Sequence, residues 1–120
     1  SYIIIIIIII VLSLPLPEPS GPPQNVRALA LSPTSIRVIW NPPLLSQRNG
    51  LISHYTVRFT SQPHHSKSVN TIDNNTSIVI SDLAIFTTYS FTIKAWNVIG
   101  AGPESQAVDN TTWEDCEYLD

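Results

Sequence analysis

Apolar and polar residues alternate along several short segments of this chain. In the segment that ends at Trp40, Ile36 and Val38 share one side of an extended backbone, and Arg37 lies on the other. The same alternation recurs in two longer segments, which contain Tyr55, Val57, Phe59, Tyr89, Phe91, Ile93 and Ala95. Successive side chains of a β-strand point to opposite faces of a sheet, so each segment would bury one face. The alternation therefore predicts β-strands that pack on one hydrophobic core.

Turn-forming residues divide the chain into seven such segments. We expect strands at residues 25–31, 35–40, 52–60, 67–72, 76–80, 88–97 and 105–111. Pro42 and Pro43 would end the second strand, because proline has no N–H to donate to a sheet. No stretch shows the sustained 3.6-residue apolar periodicity of an amphipathic helix. Seven short strands with regular turns predict an all-β sandwich of two sheets.

A spaced set of residues between positions 40 and 102 resembles the fibronectin type III domain. The set comprises Trp40, the corner Leu83-x(3)-Thr87-x-Tyr89 and the hairpin Ala95-x-Asn97-x-x-Gly100-x-Gly102. The segment Asn49-Gly50-Leu51-Ile52-x-x-Tyr55-x-Val57 is similar to repeats of cell-adhesion molecules and receptor tyrosine phosphatases. The resemblance covers about residues 21–112 and implies a seven-stranded immunoglobulin-like sandwich.

The resemblance also implies a set of structural core residues, namely Trp40, Tyr55, Leu83, Tyr89 and Ala95. Trp40 is expected between the two sheets. The Tyr89 hydroxyl is expected to hydrogen-bond backbone near Leu83, which satisfies its buried polar tip. Ile85 occupies a position where the family often has proline.

Charge and composition divide the chain into three parts. The formal net charge is −3, but residues 21–112 hold all six basic residues and only four of the nine acidic ones. We expect an Ile run and a Pro-rich linker at residues 1–20, the domain at residues 21–112, and an acidic tail or linker at residues 113–120. The basic residues are scattered, without the aromatic interleaving of nucleic-acid-binding proteins. Nucleic acid is therefore not an expected partner.

Eight consecutive isoleucines, Ile3–Ile10, follow the first two residues of the chain. With the apolar residues that follow, a helix would span about 18 Å, against about 30 Å for a bilayer core. A remnant of a signal peptide, a remnant of a membrane anchor and a gene-model artefact remain open as explanations. We expect this low-complexity or disordered segment to lie outside the fold.

The single cysteine, Cys116, lies beyond the predicted domain. An immunoglobulin-type bridge across the sandwich requires two cysteines, so that disulfide form is disfavoured. A free thiol and a bond to another chain or a missing segment both remain open for Cys116.

Three asparagines stand in N-glycosylation sequons. Asn74 and Asn75 begin overlapping sequons in a predicted turn, and Asn110 begins a third near the end of the last strand. All three are glycosylation candidates if the chain is secreted. Two bulky glycans would compete for one turn, so we expect Asn74 and Asn75 not to be modified together.

Metal and catalytic chemistry find little support in the sequence. His54, His64 and His65 do not stand at ligand spacing with any cysteine or acidic residue, so we expect no metal site. No nucleophile elbow, zinc-protease motif or phosphate-binding glycine loop is present. We expect a chain that is not an enzyme and that has no cofactor and no small-molecule substrate.

Arg58, Lys94 and Trp96 fall on outward positions of the third and sixth predicted strands. They could lie side by side, with Arg58 stacked on Trp96, and form a protein-contact surface. Simple coverage of the sheet by these side chains is the alternative. The hairpin of the resemblance, from Asn97 to Gly102, carries no Arg-Gly-Asp, so integrin binding by that route is not expected.

Taken together, the sequence favours a non-catalytic binding and spacer module of a multidomain cell-surface adhesion or receptor protein. Its expected partners are other proteins, reached through its loops, the face of the third, sixth and seventh strands, and adjacent tandem domains. The alternatives are a repeat of an intracellular, cytoplasmic structural scaffold and an accessory domain of a receptor phosphatase or another enzyme.

Overall fold

The protein folds into two antiparallel sheets that pack face to face. A computed structural model describes residues 1–13, 16–61 and 65–115. One sheet has the order β1-β2-β5, formed by Gln24–Ser32, Ser35–Asn41 and Ser77–Ile80. The other has the order β4-β3-β6-β7, formed by His65–Asn70, His54–Ser61, Thr88–Trp96 and Val108–Thr111. The predicted seven-stranded all-β sandwich is confirmed.

The last strand begins at Val108, three residues later than the sequence suggests. The reason is that the Ser105 side chain replaces a backbone carbonyl in the hydrogen bonding to β6. The backbone N–H of Ser105 donates to the carbonyl of Ile93 at 2.8 Å. The Ser105 hydroxyl in turn accepts the Ile93 N–H at 3.0 Å, where a strand would offer a carbonyl. The segment therefore follows β6 without being a regular strand until Val108.

The hydrophobic core lies between the sheets and draws on both. Trp40 from β2 and Tyr55 from β3 meet at 5.2 Å between ring centroids, nearly edge to face. All five residues that the sequence assigns to the core are buried: Trp40, Tyr55, Leu83, Tyr89 and Ala95. The other members of the core cluster are Ile36, Val38, Val57, Ile80, Phe91 and Ile93. Every core residue except Leu83 comes from a strand.

The corner between β5 and β6 is held at one residue, Ala84, by two side chains. The N–H of Ala84 donates to the Tyr89 hydroxyl at 2.9 Å. The carbonyl of Ala84 accepts the Thr112 hydroxyl at 2.7 Å. Thr112 is itself buried and also accepts the N–H of Thr87 at 2.9 Å. The corner keeps both backbone anchors although Ile85 replaces the proline of the family pattern.

The isoleucine run, expected to be low-complexity or disordered, forms a helix in the structure. Helix α1 covers Tyr2–Ser13 and exposes each of its first eight side chains by at least half. A helix satisfies its own backbone hydrogen bonds, so a segment without a neighbouring strand can still pair its polar groups. Among the described helices, none has both the length and the apolar character needed to cross a bilayer. Cys116 and His64 lie outside the described residues.

Candidate functional site

The side chain of Asn97 ties three segments together at one end of the sandwich. Asn97 follows β6 and is 4% exposed. Its amide Nδ2 lies within donor distance of three carbonyl oxygens: Pro17 at 2.9 Å, and Arg48 and Asn49 at 3.1 Å each. Two of these acceptors belong to the β2–β3 loop and one to the segment before β1. Asn97 therefore holds the segment at Pro17 against a loop that lies about thirty residues later in the sequence.

The carbonyl oxygen of the same amide organises the β6–β7 loop. Asn97 Oδ1 accepts the N–H groups of Ile99 at 2.9 Å and Gly100 at 3.2 Å. Asparagine suits this position because its amide is both a double donor and an acceptor. One buried side chain thus sets the shape of the loop and the path of the linker.

The Pro-rich linker makes further contacts with the sandwich. Asn49 Nδ2 donates to the carbonyl of Glu18 at 2.9 Å, and the Ser20 N–H donates to the carbonyl of Gln47 at 2.8 Å. Pro19, between them, is buried almost completely. The linker from Pro17 to Ser20 therefore packs on the sandwich. Asn97 and Asn49 are called the linker clamp below.

Gly102 is required by this close approach of the linker. A Cβ atom at position 102 would lie 2.7 Å from the Pro19 carbonyl oxygen and 2.8 Å from the Pro19 Cβ. Backbone atoms cannot move away as a flexible side chain can, so any larger residue would displace the linker. The last glycine of the hairpin pattern thus marks a linker contact as well as a turn.

The chain leaves the sandwich at the opposite end. Trp113 donates its N–H to the carbonyl of Ser32 at 3.3 Å, and its own carbonyl accepts the Phe86 N–H at 3.1 Å. These contacts lie near Thr88, the first residue of β6, whereas the linker clamp lies beyond Trp96, its last. A nine-residue strand is about 30 Å long. We call the clamp end the N-terminal pole and the other end the C-terminal pole.

Four exposed apolar side chains surround a depression at the N-terminal pole. Leu51 and Val98 are each 92% exposed, Leu16 is 57% exposed and Ile99 is 52% exposed. They line a shallow space of about 380 Å³ beside the linker clamp. These four residues are called the N-pole patch.

The outer face of β3 and β6 carries the predicted contact residues, and Trp96 lies at one end of it, opposite His54. The indole of Trp96 stacks on His54 at 5.2 Å, and the Lys94 Nζ lies 5.6 Å from its ring centroid. Its Nε1–H donates to the Thr56 hydroxyl at 2.8 Å, and that hydroxyl donates to Asn70 at 2.6 Å. Trp96 is thus held in a fixed orientation with part of its surface open.

Arg58 lies outside this cluster, although the sequence suggested that it could stack on Trp96. The register of the two strands places Arg58 opposite Thr92, whereas Trp96 lies opposite His54. Arg58 instead pairs with Glu104 at 2.9 Å, and both side chains remain more than a third exposed. An exposed pair of this kind contributes about 0–1 kcal/mol to stability. Lys94 and Trp96 therefore lie together, and Arg58 lies apart from them.

The three sequon asparagines differ in their surroundings. Asn74 and Asn75 are exposed in the turn between β4 and β5. Asn110 is partly buried, and its Nδ2 donates to the carbonyl of Ala28 at 2.7 Å, which joins β7 to β1. The threonine of the third sequon, Thr112, is 1% exposed. The atom that a glycan would modify at Asn110 is therefore occupied within the fold.

The described histidines are separated. His54 stacks on Trp96 and shares a 3.0 Å hydrogen bond with Ser53, while His65 is exposed at the start of β4. Within residues 1–13, 16–61 and 65–115, no three histidine, cysteine or acidic side chains group closely enough to hold a metal ion.

The linker clamp was not predicted from the sequence. In the sequence, Asn97 is part of a spacing pattern and Asn49 is a turn residue, and neither role indicates a contact with the linker. Their roles depend on the meeting of two loops and a linker that are distant in sequence. Two features of the sequence point toward the clamp. An asparagine follows a predicted strand, and a Pro-rich segment precedes the domain.

Comparison with known proteins identifies the fold and its relatives. The family model of the fibronectin type III domain matches residues 21–111. The chain is 35% identical over 94 residues to receptor-type tyrosine-protein phosphatase F of Bos taurus, and 36% identical over 98 residues to contactin-4 of Rattus norvegicus. These matches cover 78% and 79% of this chain, but 5% and 10% of the two relatives. The chain is thus similar to a small part of each.

A solved structure supports the same assignment. The FN5 domain of Drosophila Lar matches with a TM-score of 0.66 at 27% identity, covering 80% of this chain and 99% of that one. The resemblance to the fibronectin type III domain, based on Trp40, Tyr89 and the hairpin at Asn97, is confirmed. The similarity of the segment from Asn49 to Val57 to receptor tyrosine phosphatase and cell-adhesion repeats agrees with these relatives. The chain belongs to the fibronectin type III family.

Proposed function

We propose that this domain is a non-catalytic binding and spacer module of a multidomain cell-surface adhesion or receptor protein. The observation that carries the proposal is the anchoring of the chain at both poles. The linker clamp holds the incoming chain at one end of β6, and Trp113 holds the outgoing chain at the other. A module that fixes entry and exit about 30 Å apart sets the distance between its neighbours.

The relatives support a place in a long receptor polypeptide. The chain matches 5% of a receptor-type phosphatase and 10% of contactin-4. In a chain of that length, a fibronectin type III domain contributes spacing and contacts. The similarity to a phosphatase also favours, as a second candidate, an accessory domain of a receptor phosphatase.

Two surfaces are proposed for contacts with other proteins. The face with Trp96 and Lys94 offers an aromatic ring held in place beside a cation, with Arg58 farther along the same face. Aromatic residues and arginine are enriched in protein interfaces. The N-pole patch supplies exposed apolar area. Contacts of this size are weak singly and gain strength when repeated along an array.

We also propose that the domain lies outside the cell and carries a glycan at the β4–β5 turn. Asn74 and Asn75 are exposed there, so either could carry a glycan without disturbing the core. The two sequons overlap in one turn, so a single glycan is expected.

An antibody raised against residues 16–115 tests the proposal in cells that express the protein. Immunoblots should show a parent chain much larger than 13.3 kDa, the mass of the present sequence. Trypsin applied to intact cells should remove that band, and trypsin on permeabilised cells should give no additional loss. A band that is protected in intact cells and digested only after permeabilisation would favour the intracellular scaffold instead.

A further inference from the structure

Helix α1 exposes apolar side chains in every direction around its axis. Its first eight side chains, from Tyr2 to Ile9, are each at least half exposed. Eight successive residues pass more than twice around a helix, so isoleucine lies on all of its sides. No charged side chain occurs in the sequence before Glu18. A helix that is hydrophobic all round is normally buried, so α1 needs a cover that surrounds it.

The apolar surface of α1 adjoins that of the N-pole patch. Two residues separate the end of α1 at Ser13 from Leu16, so the Cα atoms of Ser13 and Leu16 lie within about 11 Å of each other. Leu16 is a wall of the patch, and Leu51 and Val98 in the same patch are each 92% exposed. One cover can therefore lie against both the helix and the pole.

We propose that α1 and the N-pole patch together form a lipid-binding surface, with α1 in the hydrocarbon of one leaflet and the patch at the bilayer surface. Hydrocarbon surrounds a helix on all sides, whereas a groove of another protein takes up one apolar face. The helical conformation suits hydrocarbon, because a helix pairs its own backbone groups. The same bilayer covers the patch, which a partner wrapped around α1 alone would leave exposed.

The length of α1 favours a position along one leaflet. Its twelve residues extend about 18 Å, against about 30 Å for the hydrocarbon core of a bilayer. Tyr2 lies at the end away from the sandwich, and tyrosine is enriched at the interface between membrane and water. The patch holds the other end of the helix at the same interface. With both ends among the headgroups, α1 lies parallel to the membrane.

This inference goes beyond the proposed function and does not depend on it. In a chain that retains α1, it assigns the N-pole patch to lipid and leaves the face with Trp96 for contacts with proteins. The sandwich would then hold the chain that leaves at Trp113 about 30 Å from the bilayer, which is the length of β6.

Flotation of the full chain with phosphatidylcholine vesicles tests the lipid contact. Bound protein rises with the vesicles in a density gradient, whereas self-associated protein sediments. Ile5→Glu with Ile7→Glu places charges on opposite sides of α1 and should lower the floated fraction about tenfold or more. Leu29→Glu with Ile85→Glu adds the same charges at exposed positions of the sandwich and should float like the wild type. Because the contact is apolar, about 0.5 M NaCl should not release the wild type.

An environment-sensitive dye tests the position of the pole. In the full chain with Cys116→Ser, the dye is attached through Leu51→Cys or Val98→Cys, with Val79→Cys on β5 as the control. Vesicles should shift the emission from positions 51 and 98 to the blue and leave that from position 79 unchanged. Flotation without these shifts would overturn the proposal.

Two further outcomes would count against lipid. Sedimentation of the wild type both with and without vesicles would identify a second copy as the cover of α1 and overturn the proposal. Peptide mapping of the native protein should detect residues 2–13 in the mature chain. Their removal would overturn the proposal as well, without bearing on the proposed function.

Discussion

The side-chain amide of Asn97 lies 2.9 Å from the carbonyl oxygen of Pro17, eighty positions earlier in the sequence. The contact makes the linker part of the folded unit, because the acceptor precedes the first strand. The same amide reaches two carbonyls of the β2–β3 loop. Loss of this side chain would therefore affect the linker and two loops together.

Asn97→Ala should lower the free energy of unfolding by about 2–3 kcal/mol. The substitution leaves several partly buried backbone groups without partners, and each such group costs about 1–3 kcal/mol when water cannot fully replace the bond. Urea denaturation of residues 16–115 measures the change. Asn41→Ala, at an exposed position at the end of β2, is the control and should stay within about 0.5 kcal/mol. Equal losses in the two variants would show that the clamp does not stabilise the domain.

The two side chains that hold Ala84 should act as a unit. Tyr89→Phe removes the acceptor for the Ala84 N–H, and Thr112→Val removes the donor to its carbonyl. Each should cost about 1–2 kcal/mol. Once one anchor is lost the corner can shift, so the double variant should lose less than the sum. A double-mutant cycle measures the coupling, with Thr111→Val as an exposed control. Strict additivity would mean that the two anchors stabilise the corner independently.

Alternation along the strands was sufficient to predict the sandwich. A period of two assigns each side chain to a face, and one buried face fixes that assignment strongly. This is why the inward positions of Trp40 and Tyr89 could be read from the sequence. The corner bond of Tyr89 followed from the family spacing, which its contact with Ala84 now matches.

Alternation could not predict which residues of neighbouring strands lie opposite each other. A shift of two residues keeps every side chain on its face but changes its partner, so alternation leaves the register of β3 against β6 open. The structure pairs Trp96 with His54 and leaves Arg58 to Glu104. The contacts of Asn97 are harder still, because they depend on where two loops meet a linker. A pattern within one strand contains no information on contacts between loops that are distant in the sequence.

Tyr55 should make the domain less stable above pH 10. Burial raises the pKa of its phenol above the usual 10.0, although the charge of Arg48 and the indole of Trp40 partly oppose the rise. Below pH 10 the phenol is protonated in both states and its contribution is complete. At higher pH the unfolded chain loses the proton first, so the free energy of unfolding falls with increasing pH.

Denaturation midpoints between about pH 8 and pH 11 measure this dependence. Tyr55→Phe removes the titrating group while it keeps the ring next to Trp40. The variant should show a shallower decline than the wild-type domain across the alkaline range. Identical slopes for the two proteins would mean that Tyr55 ionises equally easily in the folded and unfolded states.

The third sequon should remain unmodified while the turn sequons are used. A glycan on Asn110 would occupy the Nδ2 that donates to the Ala28 carbonyl at 2.7 Å, between the two sheets. Asn110→Gln should cost about 1 kcal/mol because it displaces this bond. Asn75→Gln, at an exposed position, should stay within about 0.5 kcal/mol. Chemical denaturation of the unglycosylated variants gives both values.

Peptide mapping of protein secreted from mammalian cells then locates the glycan. One glycan is expected on the peptide that contains Asn74 and Asn75, and none on the peptide that contains Asn110. Enzymatic deglycosylation converts an occupied asparagine to aspartate, so the mass of each peptide identifies the site. A glycan found at Asn110 in folded protein would require that β7 is held to β1 without the Ala28 contact. In that case, Asn110→Gln should also leave the free energy of unfolding unchanged.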